Sequence, residues 1–258
     1  EDLQRHYDTY YVPNNATLIV VGDIQVKTLL PTITRLFASI PARAVPTHPI
    51  PEEPEQKGER RILVKRDAQL PFVLAAYRAP NFKHEDSYAL ALLESLLAQG
   101  KSARLYRSLV YEQKIALAVG TDHSLLQTDP QLFYCYVVVA PGQKVDAAEQ
   151  ALYRELDRIK QEPPSELELQ RAKNQLEAGR VFGQDSIFRQ AMMLGQAETV
   201  GAGWKFEDSF LDRVRRVTPH EVQRVAQRYL IEDARTVGIL VPTPPVQPFA
   251  ETTGGTRP

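Results

Sequence analysis

Two stretches far apart in this chain end in the same way. Residues 3–23 (LQRHYDTYYVPNNATLIVVGD) and 222–242 (VQRVAQRYLIEDARTVGILVP) each read as a helix, a tyrosine, a turn and an apolar strand. At one constant offset Gln4 falls on Gln223, Arg5 on Arg224, Tyr10 on Tyr229 and Thr17 on Thr236. A chain that closes twice in the same manner implies two folding units of one kind. Only the second copy has enough sequence in front of it to build a core. The expectation is therefore one complete lobe preceded by the tail of a sister lobe, whose body and chemistry lie outside these 258 residues.

Bulk composition agrees with a globular lobe. Hydrophobic residues make up 43% and charged residues 24%, with a formal net charge of −1, values ordinary for a soluble fold. No basic excess marks a nucleic-acid surface, and no apolar run approaches the roughly 18 residues that a membrane span requires. The single cysteine, Cys135, lies in the apolar run LFYCYVVVA and reads as a small core residue; an internal disulfide is excluded. The sequence begins at Glu1 without a signal-like segment, which fits a processed or cut fragment whose targeting signal would lie upstream.

Periodicity places the elements. A short amphipathic helix is expected over 2–11, a turn at Pro13-Asn14-Asn15, a strand over 17–21 and a helix over 26–38, with Pro31 tolerable only near its start. From Pro41 to Gly58 prolines and glutamates replace any apolar period, which reads as a linker. Strands are then expected at 61–65 and 71–77 and a broad-faced apolar helix at 85–99, with a stop at Gly100. A Ser102-capped helix to Gln113 precedes two strands, 115–126 and 131–140, that read as a hairpin. Helices at 145–160, from Pro163-Pro164-Ser165 to about 200 with breaks, at 206–214 and, capped by Thr218-Pro219, at 218–229 lead to a last strand, 236–241. The class is α+β, with an antiparallel or mixed sheet covered by helices. The division is 1–43 as the tail of the first lobe, 44–58 as linker, 59–242 as the second lobe and 243–258 as a disordered tail.

The chemistry-bearing patterns are mostly absent. His84-Glu85 and His220-Glu221 begin like a zinc H-E-x-x-H helix, but the fifth positions are Tyr88 and Arg224, and no Glu-His dipeptide exists for the inverted form. Both histidines read as surface residues near helix starts. His6, His48 and His123 are scattered, and no nucleophile elbow, P-loop or dinucleotide fingerprint occurs. The paired acids Glu52-Glu53 and Glu166/Glu168 read as solvated charge. The most distinctive stretch is GKSARLYRSLVYEQKIALAVGTDHS, residues 100–124, where a glycine, small residues and basic residues open a helix. Arg104, Arg107 and Tyr111 fall on one helical face and are the candidate ligand contacts, weighed against an exposed amphipathic helix that packs Leu105 and Leu109 inward.

That stretch resembles the second-lobe motif G-x-S-S-R-L-[FY] of the insulinase, pitrilysin and mitochondrial processing peptidase family of zinc metallopeptidases. YYVPNNATLIVVGD resembles the end of that family's first lobe, and PPSELELQRAKNQLEAGRVF matches in order. The resemblance spans Asp2 to about Val241 and accounts for the repeat, since the family's homologous lobes enclose a chamber. It implies a lobe of the LuxS and processing-peptidase type. It also implies that the zinc ligands, an inverted H-x-x-E-H helix and a later glutamate, belong to the first lobe, so that no metal or catalytic residue is expected in this chain. Second lobes of active relatives often supply an Arg/Tyr pair toward the substrate; the corresponding positions here hold Val110 and Leu117, with Arg107 or Tyr111 as substitutes.

The leading expectation is the C-terminal, substrate-enclosing half of a bacterial zinc metalloendopeptidase. Its partners would be a zinc-bearing N-terminal lobe of the same protein, or a partner subunit, and a peptide substrate, with the cell envelope or periplasm favoured over the cytoplasm. The alternatives are a catalytically inactive scaffold subunit and a freestanding module that binds extended peptides at a sheet edge.

Overall fold

The computed structural model describes residues 1–47 and 53–243. Five strands form one sheet in the order β1-β5-β2-β4-β3. They are β1 (Arg60–Asp67), β2 (Phe72–Ala79), β3 (Ala116–Asp122), β4 (Gln131–Val139) and β5 (Arg235–Thr243). The β2/β4, β3/β4 and β2/β5 pairs are antiparallel and the β1/β5 pair is parallel, so the sheet is mixed and the expected α+β class holds. The last strand in sequence is thereby inserted between the first two.

Eight α-helices accompany the sheet among the described residues: α1 (Asp2–Tyr10), α2 (Val26–Phe37), α3 (Asp86–Ala98), α4 (Val145–Gln161), α5 (Glu166–Gly183), α6 (Ile187–Thr199), α7 (Phe206–Arg216) and α8 (Pro219–Tyr229). Helices α3, α4 and α8 pack on one face of the sheet, and α5 and α7 pack outside α3. The inward rows of the strands, Val73, Ala75 and Tyr77 on β2 and Phe133, Cys135, Val137 and Val139 on β4, meet Leu90, Leu93, Leu97, Leu152, Leu156, Val222 and Val225 in one buried cluster. Cys135 is fully buried there, as read from the sequence.

Start signals in the sequence translate directly into caps. Ser165 with Glu168 opens α5 and Thr218 with Glu221 opens α8, each as a reciprocal capping box. The expected helical stretch to residue 200 breaks into α5 and α6, where Ser186 caps the second through the Arg189 N–H.

Three expectations are corrected. Thr17–Val21 forms no strand, because no neighbouring strand among the described residues offers its backbone a ladder; Ile19 instead lies against Gly195 of α6. The helix expected from Ser102 is a π-helix over Tyr106–Glu112, and Ser102 sits in a turn rather than at a cap. Pro31 lies inside α2 rather than at its start. The described part of the 44–58 linker contains neither helix nor strand, and the disordered tail expected from residue 243 lies, beyond Thr243, outside the described residues.

Two ionic clusters tie strands to helices. Arg61 on β1 makes a bidentate pair with Glu149 of α4, both bonds 2.8 Å, and Tyr153 donates to the same carboxylate at 2.8 Å. Arg235 on β5 stacks on the Tyr153 ring at 3.9 Å and pairs with Glu59. At the other end Asp86, at the first turn of α3, is 3% exposed. It accepts from Arg224 at 2.5 Å, Arg228 at 3.1 Å and the Tyr229 hydroxyl at 2.8 Å, all on α8. Burial alone would raise the Asp86 carboxyl, but the hydrogen bonds from Arg224 and Tyr229 outweigh it and hold the group below its ordinary value.

Because the folded value lies below the unfolded one, the Asp86 contribution is fully present at neutral pH and is lost as pH falls below 3.8 toward the folded value. Asp86→Ala is expected to cost about 2 kcal/mol at neutral pH, the scale of hydrogen bonds to a charged group. Urea unfolding at neutral pH and at about pH 3 checks this: the variant's deficit shrinks in acid.

Candidate functional site

Among the described residues the second face of the sheet is open. Phe72 and Leu74 on β2, Tyr134, Tyr136 and Val138 on β4, and Leu240 on β5 alternate with the core rows and are only half-buried. Phe72 and Tyr136 stack with ring centroids 5.5 Å apart. Gly120 is the cross-strand partner of Tyr136, and a Cβ at Gly120 would run into the outer half of that ring. The glycine lets the tyrosine lie flat across β3, which gives the face a smooth aromatic floor. At one end, Arg78 donates to the Pro54 carbonyl at 2.9 Å and Gln56 to the Arg235 carbonyl at 2.8 Å, which fastens residues 53–58 beside β2 and β5.

Backbone irregularities gather at the β3 edge of this floor. The π-helix closes with the Gln113 N–H on the Ser108 carbonyl at 2.9 Å. Its wider turn brings side chains five residues apart together: Arg107 reaches Glu112 at 2.8 Å and Gln113 reaches the Ser108 hydroxyl at 2.7 Å. Ser108 in turn donates to the buried Glu155 of α4 at 2.8 Å. Lys114 follows with φ +53, the one non-glycine residue with positive φ among those described. Next comes a β-bulge in which Leu117 has no partner between the Ala116/Val139 and Ala118/Val138 pairs.

The three candidate contacts separate into two environments. Arg104 points to α5, where it forms a bidentate pair with Glu168, both bonds 3.2 Å; its Nη1 is buried without a hydrogen-bond partner among the described residues. Arg107 and Tyr111 stand exposed on the π-helix. Val110 packs against the core, and Leu117 projects its apolar side chain outward.

No group of three or more His, Cys, Asp or Glu side chains with metal-holding geometry exists among the described residues. His84 instead accepts the Asp86 N–H at the start of α3, 3.0 Å. His123 is buried with Nε2 3.0 Å from the Pro80 carbonyl, and burial lowers its pKa. Helix α3 also holds a carboxyl that the sequence reading passed over. Burial, with the charge of Asp122, pushes Glu94 up to about 7 against hydrogen bonds from Gln99 and the His123 backbone. A lone acid within ALALLESLLA was the available signal.

The family model described as the peptidase M16 inactive domain matches residues 1–176, and the chain belongs to that family. Among curated relatives, the Helicobacter pylori zinc protease PqqE is 28% identical over 250 residues, covering 94% of this chain and 55% of the relative. The mitochondrial-processing peptidase subunit beta of Lentinula edodes is 24% identical over 246 residues, 89% of this chain and 52% of the relative. The chain thus spans about half the length of the curated relatives it matches. A crystal structure of a Helicobacter pylori protease superposes with TM-score 0.86 at 27% identity, over 93% of this chain and 58% of that one. The first half of the periplasmic protease PqqL from Escherichia coli shares the fold, with TM-score 0.75 at 20% identity over 93% of this chain and 54% of that one. No helix among the described residues is long and apolar enough to cross a membrane.

Two substitutions probe this region. Gly120→Ala is expected to swing Tyr136 off Phe72 at a cost of about 1 kcal/mol, and Tyr136→Ala in the same chain removes that cost; a double-mutant cycle on unfolding free energies reads it. For Glu94 the folded pKa is raised, so between 4.5 and about 7 the folded state holds a proton that the unfolded state has lost, and stability falls as pH rises through that window. Glu94→Gln is expected to flatten that slope in denaturant titrations across the window.

Proposed function

We propose that this chain is the C-terminal, substrate-enclosing half of a bacterial zinc metalloendopeptidase, with peptide hydrolysis carried by a zinc-bearing lobe upstream in the same protein. The observation that carries the reading is the match to the inactive domain in a chain half as long as its zinc-protease relatives. The described residues themselves do not fit a zinc ion, since no ligand group of sufficient size exists among them. No hydrolytic step is therefore assigned to this chain.

Residues 1–43 act as the tail of the upstream lobe, 44–58 as the link and 59–242 as the second lobe. The closed arrangement of the first stretch supports that division: Asn14 accepts from the Arg43 N–H at 3.0 Å and donates to its carbonyl at 2.9 Å, while the Arg43 guanidinium reaches the Asp8 carbonyl at 3.3 Å. The open aromatic floor is read as a chamber wall. Arg107 and Tyr111 are read as the groups that meet the peptide, and Arg104, fastened to Glu168, as the support that fixes the start of their helix. A cell-envelope location follows the relative PqqL, described as periplasmic.

A catalytically inactive scaffold or peptide-binding subunit is the second reading, favoured by the apolar Val110 and Leu117 at the positions where active relatives present a donor pair. Metal analysis and peptidase assay of the full-length protein separate the two. Stoichiometric zinc with cleavage of unfolded peptides supports the peptidase; a full-length protein with neither supports the scaffold. In an active protein, Arg107→Ala or Tyr111→Phe is expected to lower kcat/KM about tenfold, equivalent to about 1.4 kcal/mol of transition-state binding.

A further inference from the structure

Several hydrogen-bond donors beside the start of the π-helix have nothing to donate to. Where the end of α3, the turn at residues 100–103 and the first half of α5 meet, they enclose a hollow of about 40 Å³. A single buried water needs roughly 10–15 Å³, so the hollow is larger than a water site. Ser95, near the end of α3, forms part of its wall and is 2% exposed, and its hydroxyl has no hydrogen-bond partner among the described residues. A buried hydroxyl in that state calls for a partner.

The rest of the polar wall repeats the pattern. Ser102 on the turn and Arg171 and Gln175 on α5 line the same hollow, and their side chains make no hydrogen bond or ion pair among the described residues. Gly100, in the left-handed region at φ +87, makes room for Gln175: a Cβ there would lie 3.4 Å from the amide nitrogen. One residue past the wall at Ala103, Arg104 keeps its buried Nη1 unpaired as well. The one carboxylate in the wall does not serve these donors. Glu168 already accepts from Arg104 Nε and Nη2 and from the Ser165 N–H and hydroxyl, and the Arg104 guanidinium balances its charge. Arg171 therefore leaves the hollow with one positive charge unmatched.

We propose that this hollow binds a small tetrahedral oxyanion of the phosphate or sulfate kind. Ser95 donates its hydroxyl from α3, Ser102 donates from the turn, Gln175 donates its amide from α5, and Arg171 supplies the countercharge from the exposed rim. Donors that arrive from three elements suit an ion with oxygens in as many directions, whereas a planar carboxylate offers only two. The bound ion ties the turn to α3 and α5 and so steadies the residues that lead into the π-helix carrying Arg107 and Tyr111. The site is independent of zinc and of peptidase activity.

Calorimetric titration of the full-length protein with sodium phosphate, at an ionic strength held constant with sodium chloride, tests it. Saturable binding is expected, with sulfate competing and acetate binding at least about tenfold more weakly. Ser95→Ala and Arg171→Gln, measured separately, are each expected to weaken phosphate binding at least about tenfold. Lys144→Gln, which removes an exposed charge outside the hollow, leaves it unchanged. Because Ser95→Ala alters no charge, its effect separates a built site from general attraction of anions to a basic surface. Absence of saturable phosphate binding overturns the proposal. So does binding that either Ser95→Ala or Arg171→Gln leaves intact, and so does acetate that binds as tightly as phosphate.

Discussion

The fold is closed by one buried carboxylate. β5 is made last and must enter between β1 and β2, two strands that precede it by the length of the lobe. What delivers it there is α8, and what holds α8 is Asp86, whose carboxylate meets two guanidinium groups and a phenol from a helix distant in sequence. Desolvation opposes burying such a charge, and only several donors from one rigid element repay it. A second cluster, Arg61 with Glu149 and Arg235 with Glu59 over Tyr153, then fastens β1 and β5 to α4. β1 is an edge strand with a single neighbour and no buried residue, so this cluster and the ladder to β5 are what fasten it.

With one face of the sheet sealed by helices, alternation leaves the other face to its own devices. On β2 and β4 that face carries Phe72, Tyr134 and Tyr136 rather than the charged residues of a solvated sheet. The neighbouring edge departs from regular geometry three times within a short stretch, in the π-helix, at Lys114 and at the Leu117 bulge. Such departures persist only where surrounding contacts overdetermine them. Here Ser108 on Glu155 and Arg104 on Glu168 supply that constraint, which leaves Arg107 and Tyr111 projecting from a fixed base.

Much of the fold could be read before any coordinates. The helix starts at Pro163-Pro164-Ser165 and Thr218-Pro219 are local signals and were legible. Glu168, which the sequence reads as solvated charge, instead closes a capping box on Ser165 and pairs with Arg104, because Arg104 reaches it from a segment distant in sequence. The expected strand positions differ from the observed ones by a few residues at most for the second-lobe elements other than β3, which stops at Asp122 where the apolar pattern runs on to Leu126. The site was harder. Arg104, Arg107 and Tyr111 were grouped on an α-helical wheel, but the chain forms a π-helix there, whose wider turn pairs Arg107 with Glu112 instead. Asp86 and Glu94 went unremarked because their importance lies in what surrounds them.

The sequence by itself determined the repeat, the family resemblance, the helix starts and the alternation that gives the sheet one apolar and one aromatic face, since each is written in residue type and spacing. Only the tertiary structure decided that β1 pairs with β5 in parallel, that Asp86 rather than any histidine is the hub at the start of α3, and that Thr17–Val21 is not a strand. The physical reason is common to all three. A strand, a buried charge and a docking helix are defined by their partners, and a partner distant in sequence is supplied by the packing of the whole lobe.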